Sequence, residues 1–251
     1  MARASSLHIL GSRVDAVDMD EAERRIVALL EERRFAQVVT FGSEMAMFAH
    51  RNSSYRRVVN EADLVVPDTV GVVYAARLLG EPMRERVAGV ELIDRLCRAC
   101  ARYGISIYLL GGAPGVAVAA AAELRVRHPQ LVIAGTQDGY FSTEQTPQVI
   151  GAIQRSGARL LLVALGFPRQ EFWVREHADE LGPVVCMGIG GSLDVISGRL
   201  ARAPAFVRKV GLEWLYRLMR EPRRLGRQLA LPPFAVLVAA QAARERLARK
   251  P

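Results

Sequence analysis

The chain has 251 residues, of which 51% are hydrophobic and 24% charged, so it is long enough for a full α/β core and too apolar for a disordered chain. Its net charge of +8 is unevenly spread: residues 199–251 hold 13 Lys and Arg against three acids, a balance of +10, and the rest of the chain carries −2. This distribution indicates a nearly neutral body and a basic C-terminal surface suited to phosphates or anionic lipid.

Short apolar strands alternate with amphipathic helices along the chain. The predicted strands cover 7–10, 36–41, 63–66, 105–110, 131–135, 159–165 and 184–187. Helices are predicted at 20–33, from 43, from about 70, at 90–103, after the turn at 111–115 up to 127, at 144–155 and beginning within 166–171. This alternation is typical of a mainly parallel, Rossmann-like α/β sheet with helices on both faces. The strand at 159–165 is the most apolar, and we expect it to be central.

Candidate site residues follow several strand ends, which lie along one edge of a parallel sheet. Thr40 closes one strand, and Asp68 comes just after another. Asp68 could serve as a catalytic carboxylate or simply cap the next helix. Gly111 and Gly112 open a glycine-rich turn, which could cradle a phosphate or only form a tight strand–helix turn.

A second glycine-rich turn follows the last strand. Gly190 and Gly191 lie in it, and Asp194 comes just beyond. Such a turn before a helix is suited to holding a phosphorylated small molecule. The segment 208–227 comes next, with seven basic residues and two acids in a helical pattern.

The cysteine, histidine and aspartate patterns of the sequence give little support for a metal site or a redox site. Cys97 and Cys100 form a CxxC inside a helical pattern, whereas a redox pair belongs at a helix start and zinc needs further ligands. The four histidines are scattered, and we expect no paired-aspartate site for Mg²⁺ or Mn²⁺. No secretory leader is evident, and the apolar run at 234–240 is far shorter than the ~20 residues that span a bilayer. We therefore expect a cytoplasmic protein.

Eight short motifs, taken together and in order, resemble the WecG/TagA/CpsF glycosyltransferases. The resemblance covers roughly residues 6–232. The motifs are PDTVG (67–71), RVAG (86–89), LLGG (109–112), DGYF (138–141), GFPRQE (166–171), GIGGSLDVISG (188–198), RAP (202–204) and EWLYRL with EPRR (213–227).

The resemblance implies a modified Rossmann fold and an inverting, metal-independent transfer without a cofactor. The donor would be a UDP-sugar, first of all of the N-acetylmannosamine type, and the acceptor a polyprenyl-diphosphate-linked sugar in bacterial surface or exopolysaccharide synthesis. It also implies a catalytic core over 1–205 and a basic helical appendage over 206–251 that meets the anionic inner face of the cytoplasmic membrane. Homo-oligomerisation is left open.

The resemblance also implies residue roles. Asp68 would be the base, Thr40 would lie near it, and Arg86 would face the leaving phosphates. Residues Gly111, Gly112, Tyr140, Gln170, Gly190, Gly191 and Asp194 would surround the UDP-sugar, and the appendage would supply Arg217, Arg224 and Arg227. One position departs from the family pattern, since Gly42 stands where an asparagine is common. This change predicts a different sugar or altered contacts.

Other function classes fit the sequence less well. A nicotinamide dehydrogenase would need GxGxxG after the first strand, where only Gly11 occurs. The alternative is a non-catalytic protein that binds phosphate or nucleic acid through its basic tail. However, Trp214 and Tyr216 fall in the apolar phase of the helical pattern, so we expect no nucleic-acid partner. The apolar residues Leu229, Leu231, Phe234, Val236 and Leu237 are instead expected to insert shallowly into a membrane.

Overall fold

A six-stranded parallel sheet forms the centre of the protein. In the computed structural model, which describes residues 6–201 and 229–248, the sheet order is β4-β3-β8-β7-β5-β6. Its strands are β3 (Ala36–Phe41), β4 (Leu64–Pro67), β5 (Ile107–Gly111), β6 (Ile133–Gln137), β7 (Leu160–Ala164) and β8 (Val185–Gly188). A separate antiparallel hairpin contains β1 (Ser6–Ile9) and β2 (Ser12–Asp15). The parallel sheet and the interior position of β7 are confirmed.

Helices cover both faces of the sheet, as predicted. The helices are α1 (Met19–Glu31), α2 (Ser43–Arg51), α3 (Ser53–Glu61), α4 (Val70–Leu78), α5 (Gly89–Tyr103), α6 (Val116–Arg127), α7 (Thr146–Ser156), α8 (Arg169–Glu176), α9 (Ala178–Leu181), α10 (Ser192–Ile196) and α11 (Leu231–Ala248). On one face, α1, α5, α6 and α10 bury their apolar sides. On the other face, α2, α3, α4 and α11 form one cluster, and α7 to α9 form a second.

The side chains of each strand alternate between these two layers. Val38 and Val66 point into the layer of α1 and α5, whereas Val39 and Val65 point into the layer of α2 to α4. Because successive side chains of a strand point to opposite faces, a strand covered on both sides must be apolar throughout. This requirement explains why β4, β7 and β8 are continuous apolar runs and could be recognised in the sequence. In β3 the two polar residues, Gln37 and Thr40, are buried and hydrogen-bonded.

The CxxC is an internal part of α5. Both Cys97 and Cys100 are buried, and burial raises the pKa of both thiols, that of Cys100 to about 12. A thiol that stays protonated is a poor nucleophile and a poor metal ligand. The two cysteines therefore serve as small core residues of the helix.

The C-terminal helix α11 packs on the core. Phe234 and Val238 are buried in the cluster formed with α2 and α4, and Ala242 is buried as well. The side chain of Gln241 joins the helix to the hairpin, since its Oε1 accepts the Leu10 N–H at 2.9 Å and its Nε2 donates to a hairpin carbonyl. Of the predicted appendage at 206–251, the structure describes only 229–248, and this part is attached to the core.

The burial of α11 corrects one prediction about its apolar residues. Phe234 is a core residue and cannot insert into a membrane, because only 4% of its surface is exposed. Leu229 and Val236, in contrast, are 66% and 68% exposed. Within 6–201 and 229–248, no helix has both the length and the apolar character that a bilayer crossing requires.

Candidate functional site

Thr40 and Asp68 lie at the carboxyl ends of neighbouring strands. Phe41 is paired with Pro67, and the Asp68 N–H donates to the Phe41 carbonyl at 2.9 Å. The Thr40 hydroxyl donates to the Gly188 carbonyl at the end of β8, at 2.8 Å. The sequence prediction that these residues share one edge is confirmed, and Thr40 connects that edge to the turn after β8.

The chain returns to this edge at Gly89. The Val87 N–H donates to the Pro67 carbonyl at 2.7 Å, and the Gly89 N–H donates to Asp68 Oδ1 at 2.7 Å. Asp68 therefore binds the first residue of α5, and Thr69 occupies the N-cap position of α4. The alternative in which Asp68 only caps the next helix along the chain is wrong, because its Oδ1 binds the N-terminus of a different helix.

Three side chains lie close to the position that a side chain on Gly89 would occupy. A Cβ atom built on Gly89 would lie 3.7 Å from Asp68 Oδ1, from Thr40 Cγ2 and from Ser192 Oγ. Ser192 is buried at the start of α10, and its hydroxyl donates to the Ile189 carbonyl at 2.7 Å. The sequence analysis missed Ser192, although its position in the GIGGSLD motif was a usable signal.

Arg86 and Asp194 lie on segments that adjoin this point. Arg86 is half-buried and immediately precedes Val87, whose backbone pairs with the end of β4. Asp194 is half-buried and lies in α10, the helix that begins at Ser192. The structure thus brings four predicted site residues to one region of the sheet edge.

Gln170 forms a hydrogen bond with the turn after β8. It is buried in the first turn of α8, and its Oε1 accepts the Gly190 N–H at 3.0 Å. Its Nε2 donates to Glu171 Oε1 at 2.6 Å. Gly191, the other predicted glycine of this turn, occupies the N-cap position of α10. Gln170 therefore lies at the same edge of the sheet, and its amide is bonded to protein groups on both sides.

Glu171 is a carboxyl group in the core that the sequence analysis did not single out. It is 1% exposed, and this burial raises its pKa to about 7. Tyr55 lies beside it, and the pKa of Tyr55 is raised by burial and by the neighbouring Glu171. Within the described part of the chain, neither Glu171 Oε2 nor the Tyr55 hydroxyl has a hydrogen bond of ordinary geometry.

The turn at Gly111 and Gly112 is closed by backbone contacts. A Cβ atom on Gly111 would lie 2.3 Å from the Ala164 oxygen, so only glycine lets the ends of β5 and β7 approach this closely. The Gly112 N–H donates to the Ala164 carbonyl at 3.0 Å, and its own carbonyl accepts the Gly139 N–H at 2.9 Å. The tight-turn alternative accounts for both glycines, and a role in donor binding stays a prediction.

Tyr140 lies beyond this turn and is 76% exposed. Its N–H donates to Asp138 Oδ1 at 2.9 Å, and Arg169 donates to the Gly139 carbonyl at 3.2 Å. The Arg169 guanidinium also lies over the Phe141 ring, 5.2 Å from its centre. The start of α8 therefore holds the loop of Tyr140, whose side chain stands in solvent.

Thr69 occupies the space next to Gly42. A Cβ atom on Gly42 would lie 3.0 Å from Thr69 Cγ2, so a larger residue here requires Thr69 to move. Thr69 Oγ1 also accepts the Ser43 N–H at the start of α2, at 3.2 Å. The helix thereby gains a side-chain acceptor that Gly42 cannot supply.

The expectation of no paired-aspartate site overlooked one Asp-x-Asp motif, which Asp18 and Asp20 form. Both side chains are engaged by protein groups: Asp18 accepts the Glu21 N–H as N-cap of α1, and Asp20 pairs with Arg95. Among residues 6–201 and 229–248, no cluster of three or more His, Cys, Asp or Glu side chains is placed to hold a metal ion. The predicted phosphate-binding residues Arg217, Arg224 and Arg227 lie outside the described residues.

Comparison with known proteins identifies relatives over most of the chain. The model of the family described as "Glycosyl transferase WecG/TagA/CpsF family" matches residues 7–248. A Bacillus spizizenii protein named N-acetylglucosaminyldiphosphoundecaprenol N-acetyl-beta-D-mannosaminyltransferase is 34% identical over 209 residues, which are 83% of this chain and 80% of the relative. A Staphylococcus aureus protein of the same name is 33% identical over 202 residues, 80% of this chain and 79% of the relative.

Burial of Glu171 predicts a specific pH dependence of stability. Between its ordinary pKa of 4.5 and its folded-state pKa of about 7, the folded chain keeps a proton that the unfolded chain has released. Stability from this group is therefore lost as pH rises through that window. Relative to Glu171→Gln, which cannot titrate, the wild type should lose roughly 3 kcal/mol of unfolding free energy between pH 4.5 and 8. Urea denaturation of both proteins at several pH values measures this difference, and a constant difference would contradict the prediction.

Proposed function

The chain belongs to the WecG/TagA/CpsF family of glycosyltransferases, and we propose that it transfers a hexose from a UDP-sugar to a sugar linked to a polyprenyl diphosphate. The names of the two relatives support N-acetylmannosamine as the transferred sugar and an undecaprenyl-diphosphate-linked sugar as the acceptor. The observation that carries the proposal is the convergence of Asp68, Thr40 and Ser192 beside Gly89, at the sheet edge where α/β proteins bind ligands.

We assign the role of general base to Asp68. Its Oδ1 accepts the Gly89 N–H, which helps to fix the orientation of the carboxylate. The acceptor hydroxyl would give its proton to Asp68 as its oxygen bonds to the anomeric carbon of the donor. The bond between that carbon and the UDP oxygen breaks on the opposite face, so the configuration inverts.

The leaving UDP gains negative charge that cationic groups must stabilise. Arg86 adjoins the end of β4 next to Asp68, which supports a role at the leaving diphosphate. The basic segment that contains Arg217, Arg224 and Arg227 would complete this charge stabilisation. Because arginines would take the place of a divalent ion, the transfer is proposed to be independent of metal.

Loss of the Asp68 carboxylate should slow the transfer and spare donor binding. We expect Asp68→Asn to lower the turnover rate by roughly 10²–10⁴-fold, because an amide cannot accept the proton. The measurement is transfer from radiolabelled UDP-N-acetylmannosamine to a lipid-linked acceptor, with UDP affinity determined by calorimetry. Asp179→Asn, which removes an exposed carboxylate on α9, is the control. Near-normal turnover of Asp68→Asn would refute the assignment.

Metal independence is tested in the same transfer assay. Turnover should be unchanged in excess EDTA, since arginines rather than a divalent ion are proposed to neutralise the diphosphate. The control is the same EDTA solution saturated with Ca²⁺, which shows whether the chelator itself inhibits. A loss of turnover that Mn²⁺ restores would contradict the arginine-based mechanism.

The basic segment is proposed to dock the enzyme on an anionic membrane, where its lipid-linked acceptor lies. Each basic residue near such a surface contributes about 1 kcal/mol. Reversing the charge of Arg217, Arg224 and Arg227 to Glu should therefore weaken binding to phosphatidylglycerol vesicles by at least roughly 100-fold. The full chain is the right starting point, because truncation would also remove the buried Phe234 from the core. Vesicle co-sedimentation measures the binding.

A second triple variant has the same change in net charge. It replaces three exposed arginines of the core with Glu, namely Arg57, Arg102 and Arg155. If both variants lose binding equally, the attraction is a property of total charge and the docking proposal fails. Tight, salt-dependent binding of the wild type to duplex DNA, with none to vesicles, would favour the alternative of a nucleic-acid-binding protein.

A further inference from the structure

We propose that Glu171 is a positioning residue: its buried carboxyl group fixes the amide of Gln170 and, through that amide, the turn of residues 188–191 at the donor site. This inference rests on the proposed function for the identity of the ligand. The geometry itself involves only protein groups, and it can be tested separately from the ligand.

The orientation of the Gln170 amide follows from its two partners. A backbone N–H can only donate, so the atom that faces Gly190 N must be the amide oxygen. The amide nitrogen then faces Glu171 Oε1, which accepts its hydrogen bond at 2.6 Å. A carboxyl group offers an acceptor oxygen whether it is ionised or neutral. If residue 171 offered no acceptor, the Gln170 amide would lose the hydrogen bond that keeps its oxygen turned towards Gly190.

The turn after β8 is held from two sides. The Thr40 hydroxyl binds the Gly188 carbonyl at 2.8 Å, and Gln170 binds the Gly190 N–H at 3.0 Å. Gly188 permits this approach, since a Cβ atom there would lie 2.8 Å from Gln170 Nε2 and 3.1 Å from Glu171 Oε1. A substitution that frees Gly190 leaves the turn held at its start, where Thr40 binds the Gly188 carbonyl and the Ile189 N–H donates to the Val163 carbonyl at 2.9 Å.

Glu171 is itself held firmly in place. Gln37 in β3 donates from Nε2 to the Glu171 carbonyl at 3.1 Å, which ties the start of α8 to the sheet. The carboxyl group is surrounded by Gln170, Tyr55 and the backbone of β8, and its burial costs stability. A polar group whose burial costs stability, next to a candidate binding turn, is typical of a functional requirement.

The test compares two substitutions of similar size. Glu171→Gln keeps an acceptor oxygen for Gln170, whereas Glu171→Met fills the space without one. With UDP as the probe, we expect Glu171→Met to raise the dissociation constant roughly tenfold, the effect of one lost hydrogen bond. Glu171→Gln should retain most of the affinity. At pH 8 the melting temperature of Glu171→Met should not fall below that of the wild type, because a buried carboxyl group has been removed.

A double-mutant cycle shows whether Glu171 acts through Gln170. Gln170→Ala should weaken UDP binding roughly tenfold, and adding Glu171→Met to it should weaken binding no further. A residue that only stabilises the fold would lower the melting temperature and leave the coupling at zero. Additive losses of UDP affinity would therefore overturn the proposal.

Exchange of the Gly190 amide tests the geometry without any ligand. In ¹⁵N-glycine-labelled protein, this amide should be protected in the wild type and in Glu171→Gln, and should exchange at least roughly tenfold faster in Glu171→Met. If the wild type does not bind UDP, the proposed donor is wrong and the Gly190 exchange alone decides the role of Glu171. If Glu171→Met does not fold, Glu171→Ala replaces it in both measurements. Unchanged protection in the variant that folds would overturn the proposal.

Discussion

The candidate site depends on the close approach of backbone segments at the carboxyl edge of the sheet. At Gly111 the neighbouring strand end lies where a side chain would begin, and at Gly188 the side chains of α8 take that space. At Gly89 the side chains of Asp68, Thr40 and Ser192 all lie 3.7 Å from the position that a Cβ atom would take. A rigid backbone with these openings can hold polar groups at fixed distances, which is what catalysis by positioning requires.

Hydrogen bonds between different helices and strands hold this edge of the sheet together. Thr40 links β3 to β8, Gln170 links α8 to the turn after β8, and Gly89 links α5 to Asp68. The links span 20, 21 and 148 residues of sequence, so the site is complete only when the segments around β3, β4 and β8 have packed together. The cost of burying Glu171 beneath it fits the general rule that functional sites give up stability.

The strands and helices could be predicted well because they have a local cause. The strand at 36–41 was predicted with its observed bounds. The hairpin strand β2 was missed, because Ser12–Asp15 is short and mostly polar and is stabilised by its pairing with β1 and by the side chain of Asn60. Strand order could not be predicted, since it depends on contacts between distant segments.

The amino-acid sequence by itself determined the α/β class, the parallel sheet, the family and the edge at which Thr40, Asp68 and Gln170 lie, because apolar runs, turn residues and motifs are written locally. It also determined the charge asymmetry between the body and residues 199–251. Only the tertiary structure decided that Asp68 binds Gly89 rather than its own helix, that Phe234 is core, and that Glu171 is buried against Gln170. The physical reason is that hydrogen-bond partners and burial are set by which distant segments pack together, and no local pattern contains that information.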